Sequence, residues 1–264
     1  QFGLNYGVSN KTGKVCMHDI DKILNYSFDN SIIELDTAIA YGDVYEVLGK
    51  FDLSPFRITS KIPKLDTKKN LQDQITEYIE RTFEKLNISC LHNLLLHEEE
   101  DFYESDEIFD SLKSTKNKYN IINVGVSIYN IKTKLEKNYE SIDVIQVPGS
   151  IIDRRYESIT FDNIYLRSIF LQGLLLMEKK PDYFKRWKEV FSKLDVYLSA
   201  YPTKIEGIVN YINRIKSDQK VVVGVTSLDQ LEKINSIKKY SDDALIPSFQ
   251  VDDPNLINPG RWQL

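Results

Sequence analysis

Four residues in the first part of the chain have side chains that can move or hold a proton: Asp36, Tyr41, Lys61 and His97. Asp36, Lys61 and His97 each end an apolar run, and Tyr41 follows Asp36 by five residues. A charged group at the end of an apolar strand is costly unless it is paired. The spacing therefore predicts a buried ion pair between Asp36 and Lys61 on neighbouring strands.

A phenol beside such a pair can act as a general acid. Lys61 would favour the phenolate of Tyr41, a group whose pKa normally lies near ~10. Tyr41 could then give a proton to a carbonyl oxygen, and His97 could donate a hydrogen bond to the same oxygen. Taken singly, Asp36 would be a turn or capping residue and His97 a core histidine, so the interpretation depends on the whole set.

This set supplies no electron pair, so carbonyl reduction would need a hydride donor. The sequence contains neither GxGxxG nor a P-loop, which excludes the usual dinucleotide site of doubly wound sheets. A barrel could still hold a nicotinamide at the carboxyl ends of its later strands, where Ser127 and Gln146 are suitable polar groups.

Strand-like runs alternate with helical patterns along the whole chain. Strands are predicted near 31–36, 57–62, 91–97, 121–127, 142–147, 164–168 and 221–225, and helices near 18–26, 43–50, 67–87, 103–117, 130–138, 182–197, 203–217 and 227–239. Residues 2–5 add the remnant of a truncated first strand. About eight strands favour an α/β fold, a (β/α)8 TIM barrel forming one domain over residues 1–264, over an open doubly wound sheet.

The composition excludes several classes of protein. Hydrophobic residues make up 42% and charged residues 28%, which is typical of a soluble globular domain. A net charge of −5 without a basic stripe argues against nucleic acid or an anionic membrane as partner. Two cysteines and three histidines show no metal-ligand spacing, so no metal is expected. Without a signal region or an apolar run of spanning length, we expect a cytoplasmic location.

Seven segments, in order and at suitable spacing, resemble the aldo-keto reductases over nearly the whole chain. They are DTAIAYGDVYEVLG (36–49), ITSK (58–61), LLLH (94–97), VGVS (124–127), VIQVP (144–148), LRSIFLQGLL (166–175) and VGVTSLDQLEKI (223–234). The resemblance implies a (β/α)8 barrel that transfers hydride from a nicotinamide cofactor to an aldehyde or ketone without metal. The tetrad of the family falls on Asp36, Tyr41, Lys61 and His97, with Tyr41 as general acid.

The resemblance also implies a cofactor site, with NADP(H) preferred to NAD(H). The residues it indicates are Ser127, Gln146, Arg167, Ser168, Gly173, Val225, Thr226, Ser227 and Gln230. Ser127 and Gln146 would contact the carboxamide of the nicotinamide. The loops after the last two strands would contact the phosphates of the cofactor. Three departures stand out. Ile128 replaces a frequent Asn, Arg167 replaces a frequent stacking aromatic, and the loop 225–227 lacks the usual Lys or Arg for the 2′-phosphate.

The implied substrate is a small-molecule carbonyl compound. LRSIFLQGLL and QVPGSIIDRR most resemble a bacterial branch often associated with surface-sugar pathways, which makes a sugar-type carbonyl one candidate. We expect a monomer or a weak homo-oligomer. Arg154, Arg155 and Arg261 could recognise an acidic substrate, but solvated surface positions are the simpler interpretation.

Two other functions remain open from the sequence. The barrel could bind cofactor as a redox-sensing or regulatory protein with little turnover. It could also be a Schiff-base aldolase with Lys61 as nucleophile, although the neighbouring Asp36 should keep that lysine charged and unreactive.

Overall fold

The structure, a computed structural model, describes residues 2–104, 106–130, 142–215, 219–238 and 246–264. Its centre is a curled sheet of seven parallel strands that follow one another in chain order. The strands are β1 (Glu34–Asp36), β2 (Arg57–Ile62), β3 (Leu91–Leu96), β4 (Ile121–Ser127), β5 (Val144–Pro148), β6 (Ile164–Arg167) and β7 (Lys220–Val221). This order and direction place the carboxyl ends of all seven strands at one edge of the sheet.

Helices connect the strands and cover the outer face of the sheet. They are α1 (Met17–Asp29), α2 (Val44–Leu48), α3 (Leu71–Leu86), α4 (Glu99–Glu104), α5 (Asp106–Lys118), α6 (Lys188–Leu198), α7 (Lys204–Ile215), α8 (Leu228–Asn235) and α9 (Pro254–Ile257). Short 3₁₀ turns lie at Arg155–Ser158, Leu171–Leu176, Asp182–Trp187 and Pro259–Arg261.

Helix α3 shows how the local sequence determines where a helix begins and ends. Asn70 caps its first turn by accepting a hydrogen bond from Asp73 N, and Asn87 ends it in the left-handed conformation. Ile75 and Ile79 are fully buried on the face that packs on the sheet. The cap explains why the helix begins at residue 71 rather than at the predicted residue 67.

Several predicted boundaries differ from the structure. Of the helix expected at 103–117, the structure describes α4, which begins at Glu99, and α5, which ends at Lys118. The helix expected at 182–197 begins as a 3₁₀ turn. The strand expected at 221–225 is reduced to Lys220–Val221, because the chain beyond Val222 leaves the sheet and lines a cavity. The helix predicted at 130–138 lies almost wholly outside the described residues.

The predicted remnant of a first strand at residues 2–5 is wrong. These residues form a turn, and the described sheet has seven strands rather than eight. The segment packs by its backbone instead: a Cβ atom at Gly3 would lie 2.0 Å from the carbonyl oxygen of Tyr41. A strand needs backbone partners, and an apolar run alone does not provide them.

The two edge strands β1 and β7 are joined by side chains. Lys220 Nζ on β7 lies 2.7 Å from Glu34 Oε1 on β1 and 2.9 Å from Tyr165 Oη on β6. Tyr165 in turn donates to the second oxygen of Glu34 at 2.6 Å. This cluster connects the ends of the curled sheet near the amino ends of its strands.

Within the described residues, no helix has the length and apolar character needed to cross a membrane.

Candidate active site

The predicted ion pair between Asp36 and Lys61 is present. Lys61 Nζ lies 2.6 Å from Asp36 Oδ2 and also donates to the Thr37 carbonyl at 3.0 Å. The side chain of Lys61 is 1% exposed and that of Asp36 is 16% exposed. Burial acts to lower the pKa of Lys61, but the charge of Asp36 and the contribution of Tyr41 outweigh it and raise that pKa. Lys61 is therefore held in its charged form.

Tyr41 stands beside this pair because of the turn that follows β1. The backbone N–H of Tyr41 donates to the Ala38 carbonyl at 3.0 Å, and Gly42 adopts a positive φ of 65°. Gly42 also lets the backbone of Gly3 approach, since a Cβ there would lie 2.4 Å from Gly3 O. The Tyr41 ring centroid is 5.2 Å from Lys61 Nζ. The phenol thus lies next to a charged lysine.

His97 follows β3 directly and faces Tyr41. The two rings meet edge to face with their centroids 5.7 Å apart. Burial, followed by the charges of Lys61 and Arg167, lowers the pKa of His97 to about 4. At neutral pH the imidazole is therefore uncharged and carries one N–H donor.

These residues border a large cavity at the carboxyl ends of the strands. Its volume is about 1400 Å³, and Asp36, Tyr41 and His97 line it. Lys61 is absent from the lining and contacts the site through its neighbours. All nine residues predicted for the cofactor site line this same cavity: Ser127, Gln146, Arg167, Ser168, Gly173, Val225, Thr226, Ser227 and Gln230.

Gln146 joins the two halves of the site. Its Nε2 donates to Asp36 Oδ1 at 2.7 Å, and its Oε1 is buried without a hydrogen-bond partner among the described residues. A buried acceptor without a donor is costly, and a ligand amide would satisfy it. The carboxamide of a nicotinamide fits that requirement. The sequence indicated the cofactor contact of Gln146 but gave no sign of its bond to Asp36.

The turn after β6 forms another wall. Ser168 and Gly173 have positive φ values of 66° and 88°. The turn holds the amino-terminal segment, because Val8 N donates to Gln172 O at 3.1 Å and a Cβ at Gly173 would lie 1.9 Å from Ser9 Oγ. The amino-terminal segment therefore borders the cavity.

The loop after β7 is ordered by its own side chains. Thr226 N donates to Gln230 Oε1 at 2.9 Å, and Ser227 Oγ caps α8 by accepting from Gln230 N at 3.3 Å. The amino end of α8 thus lies at the cavity wall, where backbone N–H groups and the helix dipole favour an anion such as a cofactor phosphate.

Three contributors to the site were not predicted from the sequence. The Thr37 carbonyl accepts from Lys61, and the rings of Tyr6 and Tyr129 line the cavity. Tyr129 comes two residues after Ser127, so its place just beyond a strand end is a signal that could have identified it. Tyr6 belongs to no regular element and gave no such signal.

The described part of the chain contains no group of three or more His, Cys, Asp or Glu side chains able to hold a metal ion.

Comparisons with known proteins assign the chain to a family. The family model described as Aldo/keto reductase family matches residues 2–169. No curated protein matches the chain significantly. Among solved structures, the holo form of the aldo-keto reductase AKR11C1 from Bacillus halodurans superposes with a TM-score of 0.70 at 16% identity, covering 91% of this chain and 93% of that one.

The apo form of AKR11C1 gives a TM-score of 0.66 at 17% identity, covering 86% of this chain and 83% of that one. The glycerol dehydrogenase AKR11B4 from Gluconobacter oxydans gives a TM-score of 0.69 at 14% identity, covering 90% of this chain and 91% of that one. At these identities the structural matches show a shared fold. Because the family model spans well over half of the chain, this protein belongs to the aldo/keto reductase family, whose members are oxidoreductases that act on carbonyls.

Proposed function

We propose that the protein is an NAD(P)H-dependent reductase of aldehydes or ketones with Tyr41 as its general acid. The observation that supports this most directly is the arrangement of a phenol between a charged, buried lysine and an uncharged histidine at one cavity wall. General acid catalysis needs a proton donor of suitable strength within reach of the substrate oxygen.

Each residue has a separate task in this proposal. Tyr41 Oη gives its proton to the carbonyl oxygen as that oxygen gains negative charge. Lys61 stabilises the phenolate that remains, and Asp36 holds Lys61 charged and in place. His97, uncharged at neutral pH, donates its N–H to the same oxygen and so orients the carbonyl. When bound, a nicotinamide cofactor supplies the hydride.

Residues along the cavity would hold that cofactor. Gln146 Oε1 would accept from the carboxamide, with Ser127 beside it on the neighbouring strand. The turn at Ser168–Gly173, together with Val225, Thr226, Ser227 and Gln230, would contact the phosphates. In keeping with family usage we propose NADP(H) in preference to NAD(H), even though no Lys or Arg lies within residues 225–230.

The aldolase alternative is disfavoured by the state of Lys61. A Schiff-base lysine must lose its proton to attack a carbonyl. The pKa of Lys61 is raised by Asp36 and Tyr41 against the effect of burial, and its amine does not line the cavity. Both features oppose nucleophilic attack.

The proposal is tested by titrating the protein with NADPH and with NADH, followed by fluorescence, and then assaying a panel of aldehydes and sugar carbonyls. Glycerol belongs in the panel in the oxidative direction, because a protein of the same fold is a glycerol dehydrogenase. We expect saturable binding that is tighter for NADPH, and NADPH oxidation with part of the panel. Cofactor binding without any turnover would favour a regulatory barrel, and the absence of binding would overturn the proposal.

A further inference from the structure

Strand β7 carries the loop that is proposed to contact the cofactor phosphates. The strand consists of Lys220 and Val221, and the residues that follow it, 222–227, line the cavity up to the start of α8. We call residues 222–227 the β7 loop. Because a strand fixes the point from which the next loop leaves the sheet, the position of β7 decides where this loop lies.

The backbone alone holds β7 weakly. The strand pairs with β6 at two positions, and Val222 N donates to Leu166 O at 2.7 Å just beyond them. On its other side, which faces β1, the strand has no backbone partner in the described sheet. A segment with so few backbone hydrogen bonds opens easily unless side chains hold it.

Three side chains near the amino ends of the strands supply this support. Lys220 on β7 donates to Glu34 Oε1 on β1 at 2.7 Å and to Tyr165 Oη on β6 at 2.9 Å. Tyr165 donates to Glu34 Oε2 at 2.6 Å. We call Glu34, Tyr165 and Lys220 the amino-end cluster. Its hydrogen bonds connect β7 to both β1 and β6, and all of them involve a charged group, which strengthens them.

The two charges of the amino-end cluster stabilise each other. Burial acts to raise the pKa of Glu34, but hydrogen bonds from Lys220 and Tyr165 outweigh it and lower that pKa. Burial likewise acts to lower the pKa of Lys220, but its hydrogen bonds with Glu34 and Tyr165 outweigh that effect and raise the pKa. At neutral pH the cluster therefore contains a carboxylate and an ammonium group. Arg57, at 4.0 Å from Glu34, is a looser second partner.

Tyr165 also connects the amino-end cluster to the β7 loop by packing. It is 5% exposed and packs with Leu95 and Val144 in a small apolar group. Val222, the first residue of the β7 loop, packs against the same group. Lys220 and Val222 lie on the same face of the chain because side chains alternate along a strand. The start of the loop is thus held by the contacts that hold the strand.

The amino-end cluster is separate from the residues proposed to transfer the proton. Glu34 begins β1, whereas Asp36 ends it two residues later. Both side chains lie on the same face of the strand, so the cluster forms a layer below the pair of Asp36 and Lys61. A change in the cluster can therefore move β7 without removing a contact of Lys61.

We propose that Glu34, Tyr165 and Lys220 are positioning residues for cofactor binding, which hold the β7 loop in place by fixing β7 against β1 and β6. The inference rests on the proposed reductase function and deepens it. It assigns a part of the cofactor affinity to side chains at the opposite end of the strands from the reacting groups.

The first test separates cofactor affinity from turnover. Lys220→Met removes the charged donor on β7, and we expect the Kd of NADPH to rise about five- to tenfold. The value of kcat at saturating NADPH should change less than about twofold, because Tyr41, Lys61 and His97 keep their contacts. A fall in kcat with an unchanged Kd, or no change in either, would overturn the proposal.

Two conservative variants assign the effect to the hydrogen bonds of the cluster. Lys220→Arg keeps a charged donor for Glu34 and should hold the Kd within about twofold of the wild-type value. Tyr165→Phe keeps the packed ring and removes the hydroxyl, so its Kd should lie between those of the wild-type protein and Lys220→Met. If Lys220→Arg weakens NADPH binding as much as Lys220→Met does, the assignment is wrong.

Lys116→Met is the matched control. Lys116 pairs with Asp143, just before β5, at 2.8 Å, and it does not line the cavity. Its side chain is 31% exposed, compared with 46% for Lys220. The Kd of NADPH should stay within about twofold of the wild-type value. A loss of affinity equal to that of Lys220→Met would show that the effect is not particular to the amino-end cluster and would overturn the proposal.

Hydrogen–deuterium exchange of the free protein tests the positioning role without cofactor or turnover. Lys220→Met should speed exchange of the backbone amides in the β7 loop at least about tenfold, while those of β2 stay unchanged. Unchanged exchange in the β7 loop would overturn the positioning role whatever the activity. If exchange rises as expected but the wild-type protein binds no NADPH, the proposed reductase function fails and the ordering of the loop by the cluster stands.

Discussion

Gln146 Nε2 on β5 donates a 2.7 Å hydrogen bond to Oδ1 of Asp36 on β1, across the curled sheet and over 110 residues of sequence. Asp36 is thereby held on both carboxylate oxygens, by Gln146 on one and by Lys61 on the other. The residue proposed to receive the cofactor carboxamide also fixes the carboxylate that keeps Lys61 charged. This hydrogen bond links the proposed cofactor end of the site to the proposed proton-donating end.

Replacement of Gln146 should therefore affect stability and cofactor binding together. Gln146→Leu removes the donor to a charged acceptor, and we expect the free energy of unfolding to fall by about 2 kcal/mol. The Kd of NADPH should rise about tenfold, because the carboxamide loses its acceptor. Urea denaturation and fluorescence titration measure the two effects. Gln72→Leu on α3, outside the cavity, should leave the Kd unchanged; an unchanged Kd for Gln146→Leu would disprove the carboxamide contact.

The ion pair of Asp36 and Lys61 should couple strongly in a double-mutant cycle. Lys61→Met leaves Asp36 without its counter-charge, and Asp36→Asn leaves Lys61 charged and buried; each should lower the free energy of unfolding by about 3 kcal/mol. The double variant should be more stable than the sum of the two losses predicts, since neither charge is then orphaned. Additive losses in urea denaturation would show that the pair is not energetically coupled.

His97 should remain uncharged until well below neutral pH. Its folded pKa of about 4 lies below the unfolded value, so the unfolded state binds more protons between these two values. The contribution of His97 to stability is therefore full above pH ~6.5 and is lost as the pH falls toward 4. Histidine resonances followed by NMR should show His97 titrating near pH 4, and His97→Gln should flatten the acid limb of the stability curve. A pKa near 6.5 would contradict the buried, cation-flanked site.

The turn at Gly173 should be more sensitive to a side chain than an equally left-handed turn elsewhere. Gly173→Ala places a methyl group 1.9 Å from Ser9 Oγ at a φ of 88°, so both strain and a clash follow. Gly13→Ala at a φ of 79° meets nothing within 4 Å and carries the strain alone, about 1 kcal/mol. Thermal unfolding should show the larger loss for Gly173→Ala, together with weaker cofactor binding. Equal effects would show that the amino-terminal segment does not depend on this turn.

The sequence predicted the elements whose signal is local. The bounds of β2 and β4 match the prediction because both strands are rich in β-branched residues, and they are buried from Ile58 to Ile62 and from Val124 to Ser127. The ends of these strands also located Lys61 and Ser127, and the same reasoning located Asp36, His97 and Gln146.

What could not be predicted depends on contacts between distant residues. Residues 2–5 include the apolar Phe2 and Leu4, but whether they form a strand is decided by partners that a local pattern does not contain. The bond from Gln146 to Asp36 and the stacking of Arg167 on Tyr129 each join two strand ends whose side-chain directions are set by the curl of the sheet. Such pairs follow from topology and register and not from spacing.

The central claim is that Tyr41 gives the proton in a nicotinamide-dependent carbonyl reduction. Its most direct test is the rate of NADPH oxidation by Tyr41→Phe with an aldehyde that the wild-type protein reduces, with the Kd of NADPH measured in parallel. The account predicts that kcat falls by about 10²- to 10⁴-fold while the Kd stays within about twofold, because the ring remains and the acidic hydroxyl is lost. Turnover by Tyr41→Phe close to that of the wild-type protein would contradict the account.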